Sequence, residues 1–393
     1  MLYEFVIFLK PIVDMLWQYK ILSLIVILLS FVLLFMQIRV IRIDYITIIT
    51  LWWLVLSFIT FINLTNSNSF NIFIKVSSNL IMLAIGRSLY NKRESISNKL
   101  FISYTLVLLT NIVIIIIGKG SILWGNSVTL KGVYFFKTDF ALAIIQTFIF
   151  IRFIPNKYKY IKYLVMYGVV PVLVLLSNAR AYLIVYILLM LCSFIEQLEI
   201  RKIIRKFKIN LATGIIAFFF VVSGIVLMSS LSNTELFKSL HLISFDLNSK
   251  EGLYNGANTQ GRNVIWKCVI NQYEAQPTFN KVFGVDYVSD IEVNPLKVDS
   301  HNNYIKILYS FGILGLLIFI LLIIFSICKT NEEKDIKFKF TYIMLLISYL
   351  VSGFSVSNIS YTQQSWIFFL YMGIIFGYDK KCKSDFAGDR EVE

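Results

Sequence analysis

Charge is scarce in this chain. Asp, Glu, Lys and Arg make up 15% of the 393 residues, while 58% are hydrophobic and 16% aromatic. A soluble domain carries about 25% charge, so water is excluded as the main solvent. Cysteine is scarce too: Cys192, Cys268, Cys328 and Cys382 stand apart, with no C-x-x-C and no histidine at ligand spacing. That argues against a disulfide framework and against a zinc site. The apolar run after Lys20 has no small-residue cleavage site behind it, so it is expected to stay as an anchor. Internal repeats are missing, and so is any low-complexity tract beyond a general excess of Ile, Leu and Phe. Few ionisable groups fall inside the apolar runs, which leaves no chain of buried carboxylates of the kind a proton-coupled transporter needs. The net charge of +14 raises the question of nucleic acid, but the basic residues sit in short clusters between apolar runs. That is the pattern of cytoplasmic loops, and no nucleic-acid partner is expected.

What is present is a succession of runs suited to a lipid bilayer. A spanning helix needs roughly 20 apolar residues, because in lipid every backbone N–H and C=O must be bonded internally. Runs at 21–38, 45–64, 70–86, 100–118, 138–154, 160–177, 181–198, 211–229, 303–328, 340–357 and 365–378 fit that requirement. Residues 4–19 are apolar but carry Glu4, Lys10, Pro11 and Asp14, and read as either a further span or an interfacial helix. The expected fold class is all-α, a polytopic transmembrane helical bundle of about eleven or twelve spans. Basic residues gather at Arg39 and Arg42, at Arg87, Lys92, Arg93 and Lys99, between Arg152 and Lys162, from Arg201 to Lys208, and at Lys329, Lys334, Lys337 and Lys339. All of these fall on one side, which the positive-inside rule makes cytoplasmic, together with the tail 379–393. On the outer side only the loop 230–302 is long enough for a subdomain. The chain then divides into spans within 1–229, an extracytoplasmic subdomain at 230–302 containing short helices, the last three spans within 303–378, and the tail.

Within the spans, Asn111 and Gln146 are expected to bond between helices. Lys75, near an outer helix end, is expected to snorkel, with an option on substrate binding. Lys137 and Asp139 are expected to pair at an outer helix start. Three helices are expected to open on the outer side with a polar or basic first turn. One opens at Ser177-Asn178-Ala179-Arg180, and another at Asp299-Ser300-His301-Asn302, with Asp299 or Ser300 as N-cap. Between them, residues 260–276 read as an amphipathic helix with Arg262 at its start, Val264, Ile265, Cys268 and Val269 on one face, and Pro277 as its stop. Helix N-termini offer free N–H donors and partial positive charge, and arginine's planar fork suits phosphate. Convergence of these starts with Arg180 and Arg262 would therefore make an anion site. The same field disfavours imidazolium, so His301 is expected to be neutral at pH 7, as a general base requires. The plainer alternatives are solvated arginines, a solvent-facing or interfacial His241, and a solvated turn at Asp290-Ile291-Glu292.

His301-Asn302, nine residues, and then Gly312-Ile313-Leu314-Gly315 form a pattern that enters a transmembrane helix directly after a long outer loop. The glycines are expected to let another helix pack close below His301. This pattern resembles the bacterial O-antigen ligase and polysaccharide repeat-unit polymerase superfamily, as do Asn178-Ala179-Arg180 and the Gly261-Arg262 to Trp266 segment. The resemblance covers roughly residues 140–330. It implies a layout of about twelve spans, which requires 4–19 to cross the membrane. It also implies an enzyme of the bacterial plasma (inner) membrane acting on a glycan joined through pyrophosphate to undecaprenol. The bilayer, and a flippase and chain-length regulator of the same pathway, would be its partners.

By that resemblance Arg180 and Arg262 would bind the pyrophosphate and His301 would accept the acceptor's proton, as catalytic residues. Asn302, Tyr304, Asn178 and Lys75 would be substrate-binding. The donor arrives activated, so no cofactor is expected, and no metal, since the first outer loop near residues 65–69 lacks the Asp-x-Asp or Glu-x-Asp pair of other lipid-linked sugar transferases. A polymerase of repeat units for capsule, O-antigen or exopolysaccharide is favoured by the modest loop and the lack of added outer domains. The alternatives are a ligase moving the finished glycan to an acceptor, and a non-enzymatic flippase, which would be expected to show pseudo-symmetry and a charged cavity.

Overall fold

The computed structural model describes residues 2–16, 18–37, 44–62, 67–124, 127–197, 262–287, 289–294 and 297–378. The predicted span 211–229, the predicted loop up to Gly261 with His241, the clusters at Arg39 and Arg42 and from Arg201 to Lys208, and the tail 379–393 lie outside the described residues.

Every predicted span within the described residues is a helix. Helices α1 (Leu2–Met15), α2 (Lys20–Gln37), α3 (Tyr45–Ile62), α4 (Ser67–Ser88) and α5 (Arg93–Ile116) lead to an antiparallel hairpin. Its strands β1 (Ser121–Trp124) and β2 (Ser127–Leu130) set Ser121 opposite Leu130. Next come α6 (Lys137–Phe150) and a rod built from α7 (Lys159–Leu164), a π turn at Val165–Val169 and α8 (Val170–Leu176), then α9 (Arg180–Gln197). The remainder is α10 (Arg262–Glu274), α11 (Thr278–Phe283), α12 (Ser289–Glu292), α13 (Asn303–Thr330), α14 (Ile336–Ser352) and α15 (Thr362–Phe376). The protein is an all-α membrane protein. Among the described residues, Tyr90–Ile116, Asn156–Leu176 and Asn303–Thr330 are long and apolar enough to cross a membrane, and Ile21–Phe35 and Tyr45–Thr60 are shorter apolar helices. Leu28, Phe35, Trp52, Leu109, Ile116 and Val172 stand exposed on these helices, as side chains facing lipid would.

Residues 2–15 form a helix within the bundle. Helix α1 lies against α2 and α5. Near one end the Ser95 hydroxyl donates to Glu4 at 3.0 Å. Further along, Lys10 pairs with Asp14 one turn on, donates to Thr362 Oγ1 at 3.4 Å and lies 5.2 Å from the Trp366 ring. Two charges are tolerated in this apolar helix because each has the other as partner.

Helices α4 and α15 meet backbone to backbone at Gly86 and Gly373, where a Cβ on Gly373 would come 3.0 Å from the Gly86 Cα. Polar bonds join the same pair: Ser365 to Asn79 at 2.6 Å and Trp366 to Ser78 at 2.7 Å. Small residues with interhelical hydrogen bonds are how helices associate where lipid removes the hydrophobic drive. Asn111 departs from its expectation. It donates to Val107 of its own helix at 2.8 Å and accepts from the Val133 N–H at 3.0 Å, tying α5 to the turn after β2. Gln146 is buried, and its Oε1 has no partner among the described residues. Asp139 accepts from Thr138 at 3.3 Å and from the Tyr361 hydroxyl.

Helix α13 is kinked at Gly312, whose φ of 68° and ψ of −173° belong to a region open essentially to glycine. The end of α11 sits in the kink. Val285 N–H donates to the Tyr309 carbonyl at 2.9 Å, and a Cβ on Gly312 would overlap the Val282 carbonyl and come 2.6 Å from the Gly284 nitrogen. Gly284, at φ 96°, answers it: its Cβ would come 2.6 Å from the Phe311 nitrogen. Gly312 was expected to admit a neighbouring transmembrane helix. It admits instead the backbone of the segment that precedes His301, because the kink frees a carbonyl that this segment satisfies.

Candidate functional site

Three cations stand at the first residues of three helices: Lys137 of α6, Arg180 of α9 and Arg262 of α10. All are half-buried. Arg262 is close enough to Arg180 to feel its charge, and Lys137 is close enough to feel both. The turn before α9 is closed by Asn178 in the left-handed conformation, φ 51°, and by Ser177, whose hydroxyl accepts the Ala179 N–H at 3.3 Å. Helix α10 matches its predicted register: Ile265 and Val269 are buried against Tyr309 of α13, with Val264 and Cys268 at the margin. Pro277 does more than stop it, since it also sits at the N-cap of α11.

A cation at a helix N-terminus opposes the helix dipole. Among the described residues no carboxylate is in ion-pair contact with Arg180 or Arg262. Burial, with Arg180 beside it, lowers the proton affinity of Arg262. Such an arrangement is unfavourable when empty of counter-charge and suits an anion.

His301 joins this cluster from the start of α13. Its backbone takes φ 48°, and its side chain keeps access to solvent. The N-cap of α13 is Asn302, not Asp299 or Ser300: its Oδ1 accepts from the N–H groups of Tyr304 at 3.0 Å and Ile305 at 3.1 Å. Asp299 is occupied elsewhere, and the Ser300 hydroxyl is buried with no hydrogen-bond partner among the described residues. Lys306, one turn into α13, donates to the Tyr287 carbonyl at 2.7 Å and pairs with Asp290 at 2.5 Å and Asp299 at 3.1 Å. Asp290 also accepts the Ser300 N–H at 3.2 Å, while Asp299 accepts the Ser357 hydroxyl and the His301 N–H, the latter at 3.4 Å. Asn294 closes the intervening loop through the carbonyls of Asp290 at 2.6 Å and Val298 at 2.8 Å. Trp266 of α10 donates to the Ser300 carbonyl at 2.8 Å.

Asp290 therefore corrects the reading of 290–292 as a solvated turn. Its side chain has 0% exposure, because a buried lysine needs a buried counter-charge. The sequence did hold a signal for this. Lys306 is a charge inside an apolar run, and such charges are paired by default.

Burial drives the Asp290 carboxyl above its ordinary range, with Lys306 opposing. Burial acts on Asp299 in the same sense, but Lys306 and the Ser357 hydroxyl outweigh it and hold Asp299 low. His301 is pushed below its ordinary value by the protein packed around it, with Arg262 and Lys306 adding and Asp299 opposing. It is neutral at pH 7.

Residues 163–320 match the O-antigen ligase family model. The matched stretch runs from the rod before α9 into α13 and contains Arg180, Arg262, Asp290, Asp299, His301 and Gly312. Members of the O-antigen ligase family are glycosyltransferase-like enzymes. No curated protein matches the chain.

The other predicted site residues fall differently. Asn302 is buried as the cap, and the Tyr304 hydroxyl donates to the Leu350 carbonyl at 2.6 Å with its ring 4.8 Å from Phe354. Asn178 is exposed beside Arg180. Lys75 is half-buried on α4, whose main neighbours are α2, α3 and α15. Lys137, read from sequence as a partner for Asp139, is the cation that sequence reasoning left out of the cluster.

Proposed function

We propose that this protein is a membrane glycosyltransferase that polymerises undecaprenyl-pyrophosphate-linked oligosaccharide repeat units at the outer leaflet of a bacterial plasma membrane. The product would be a capsule, an O-antigen or another exopolysaccharide. The observation that carries this reading is the meeting of Arg180 and Arg262, without carboxylate partners among the described residues, with a neutral His301. Arg180 and Arg262 hold the pyrophosphate and stabilise the charge that grows on it, a preorganised field whose single donors contribute a few kcal/mol each. An acceptor hydroxyl attacks the anomeric carbon and gives its proton to His301. The new C–O bond forms as the bond to pyrophosphate breaks, and the electron pair leaves with undecaprenyl pyrophosphate. In this reading Asn178, exposed beside Arg180, contacts the sugar. Proton acceptance by a positioned base accounts for roughly 10²–10⁴-fold. In this reading the loop that bears Arg262 and His301 is extracytoplasmic and the C-terminus cytoplasmic, the orientation that the basic clusters support.

A second reading, transfer of a finished glycan to a separate acceptor, is favoured by the family description itself. One experiment separates the two. Surface polysaccharide is resolved on a gel from a deletion strain carrying wild type or His301→Ala at equal membrane levels. Loss of the ladder with single units retained supports the polymerase. Long chains accumulating on the lipid carrier make it a ligase, and an unchanged ladder defeats the catalytic role of His301.

A further inference from the structure

His301 holds a backbone conformation that residues with a Cβ seldom adopt, and such conformations persist only where the surroundings over-determine them. What surrounds it is an ionic group of unusual build. Lys306 and Asp290 have side chains 2% and 0% exposed, and Asp299, at 28%, is the member that opens toward His301. Two carboxylates against one ammonium leave one negative charge, in a site whose other charges among the described residues, from Lys137, Arg180 and Arg262, are positive. A neutral residue at position 306 would leave two carboxylates buried together without compensation.

We propose that Asp290, Asp299 and Lys306 are positioning residues for His301. Lys306 pins both carboxylates, Asp290 fixes the Ser300 amide on one side and Asp299 the His301 amide on the other. The Asp299 carboxylate then stabilises the imidazolium that forms when His301 takes a hydroxyl proton, until that proton passes to water. This rests on the reading of His301 as the base. Among the described residues, the charged groups that act on the imidazole are Asp299 from its own loop, Arg262 from α10 and Lys306 from α13. Of these, Asp299 alone favours the protonated form.

The chain holds two histidines, His241 and His301, which makes a direct test available. His241→Gln leaves His301 as the sole histidine, and isotope-labelled histidine in nanodisc-embedded protein reports its titration by NMR. Asp299→Asn is expected to lower the midpoint by about one pH unit, and Asp299→Glu to restore most of it. An unchanged or raised midpoint in Asp299→Asn overturns the proposal. Should Asp299→Asn fail to fold, Asp290→Asn combined with Lys306→Met keeps the net charge and leaves Asp299 to His301 alone. The midpoint then rises, and a fall or no movement overturns the proposal. In the chain-growth assay, Asp299→Asn is expected to move the acid limb of the rate profile down with the titration. Failure of the underlying reading looks different: His301→Ala would sustain chain growth while the Asp299→Asn titration shift remained.

Discussion

Gly312→Ala tests how the outer segment is joined to the membrane bundle. The substitution asks a residue with a Cβ to hold φ 68° and ψ −173°, a conformation that costs about 1–3 kcal/mol. It also drives that Cβ into the Val282 carbonyl and to 2.6 Å from the Gly284 nitrogen, both backbone atoms that cannot rotate aside. Overpacking of this kind costs about 1–3 kcal/mol, so the total is roughly 2–6 kcal/mol. Gly118 supplies the comparison: it has φ 79°, and nothing lies within 4 Å of its Cβ position. Gly118→Ala should therefore show backbone strain alone, about 1–2 kcal/mol. The assay is reversible unfolding of purified protein in mixed micelles, followed by tryptophan fluorescence. Gly312→Ala should lose clearly more stability than Gly118→Ala, and combining it with Gly284→Ala should cost less than the two separately, since one contact is lost twice. Equal losses in Gly312→Ala and Gly118→Ala, or strict additivity with Gly284→Ala, would refute the claim that the end of α11 occupies the kink.

Other expectations follow from the site. Asn302→Ala removes two hydrogen bonds at a buried cap and should cost about 0.5–2 kcal/mol in the same unfolding assay, with a fall in chain growth because His301 is its neighbour. Arg180→Ala and Arg262→Ala should each slow chain growth by about 10²–10³-fold with protein levels unchanged, and Arg262→Lys should recover part of the rate, since it keeps the charge but not the fork. For pH, His301 has a folded value below its ordinary value of about 6.5, so between the two the unfolded chain binds more protons. Its contribution to stability is thus complete above about pH 6.5 and is lost as pH falls from there, and the rate should hold from pH 7 into that window before dropping. A rate that halves already at pH 7 would contradict a neutral His301.

The helices were legible because apolar runs of this length can be little else in lipid, and 21–38 against Lys20–Gln37 or 303–328 against Asn303–Thr330 differ only at the ends. Arg180, Arg262 and His301 were legible as helix starts on one predicted face. Their surroundings were less so. Asp299 and Ser300 have ideal capping side chains, yet Asn302 caps, because the pull of Lys306 on Asp299 acts through space and leaves no mark in local sequence. Asp290 looked solvated because its partner lies on another element, sixteen residues on. The use of Gly312 was hidden for the same reason, since glycine spacing tells of close approach but not of what approaches.

Helix α1 is made long before α15, and Lys10 meets Thr362 and Trp366 only when those residues have been made. For most of synthesis, then, α1 can pack on α2 and α5 while the Lys10 and Asp14 pair still lacks the Thr362 hydroxyl and the Trp366 ring, and the nascent protein must keep a polar stripe in waiting. Reporter fusions that end the chain before Thr362 would sample α1 in that incomplete state. Topology maps of this protein drawn from truncations therefore need a full-length control for the first helix above all others.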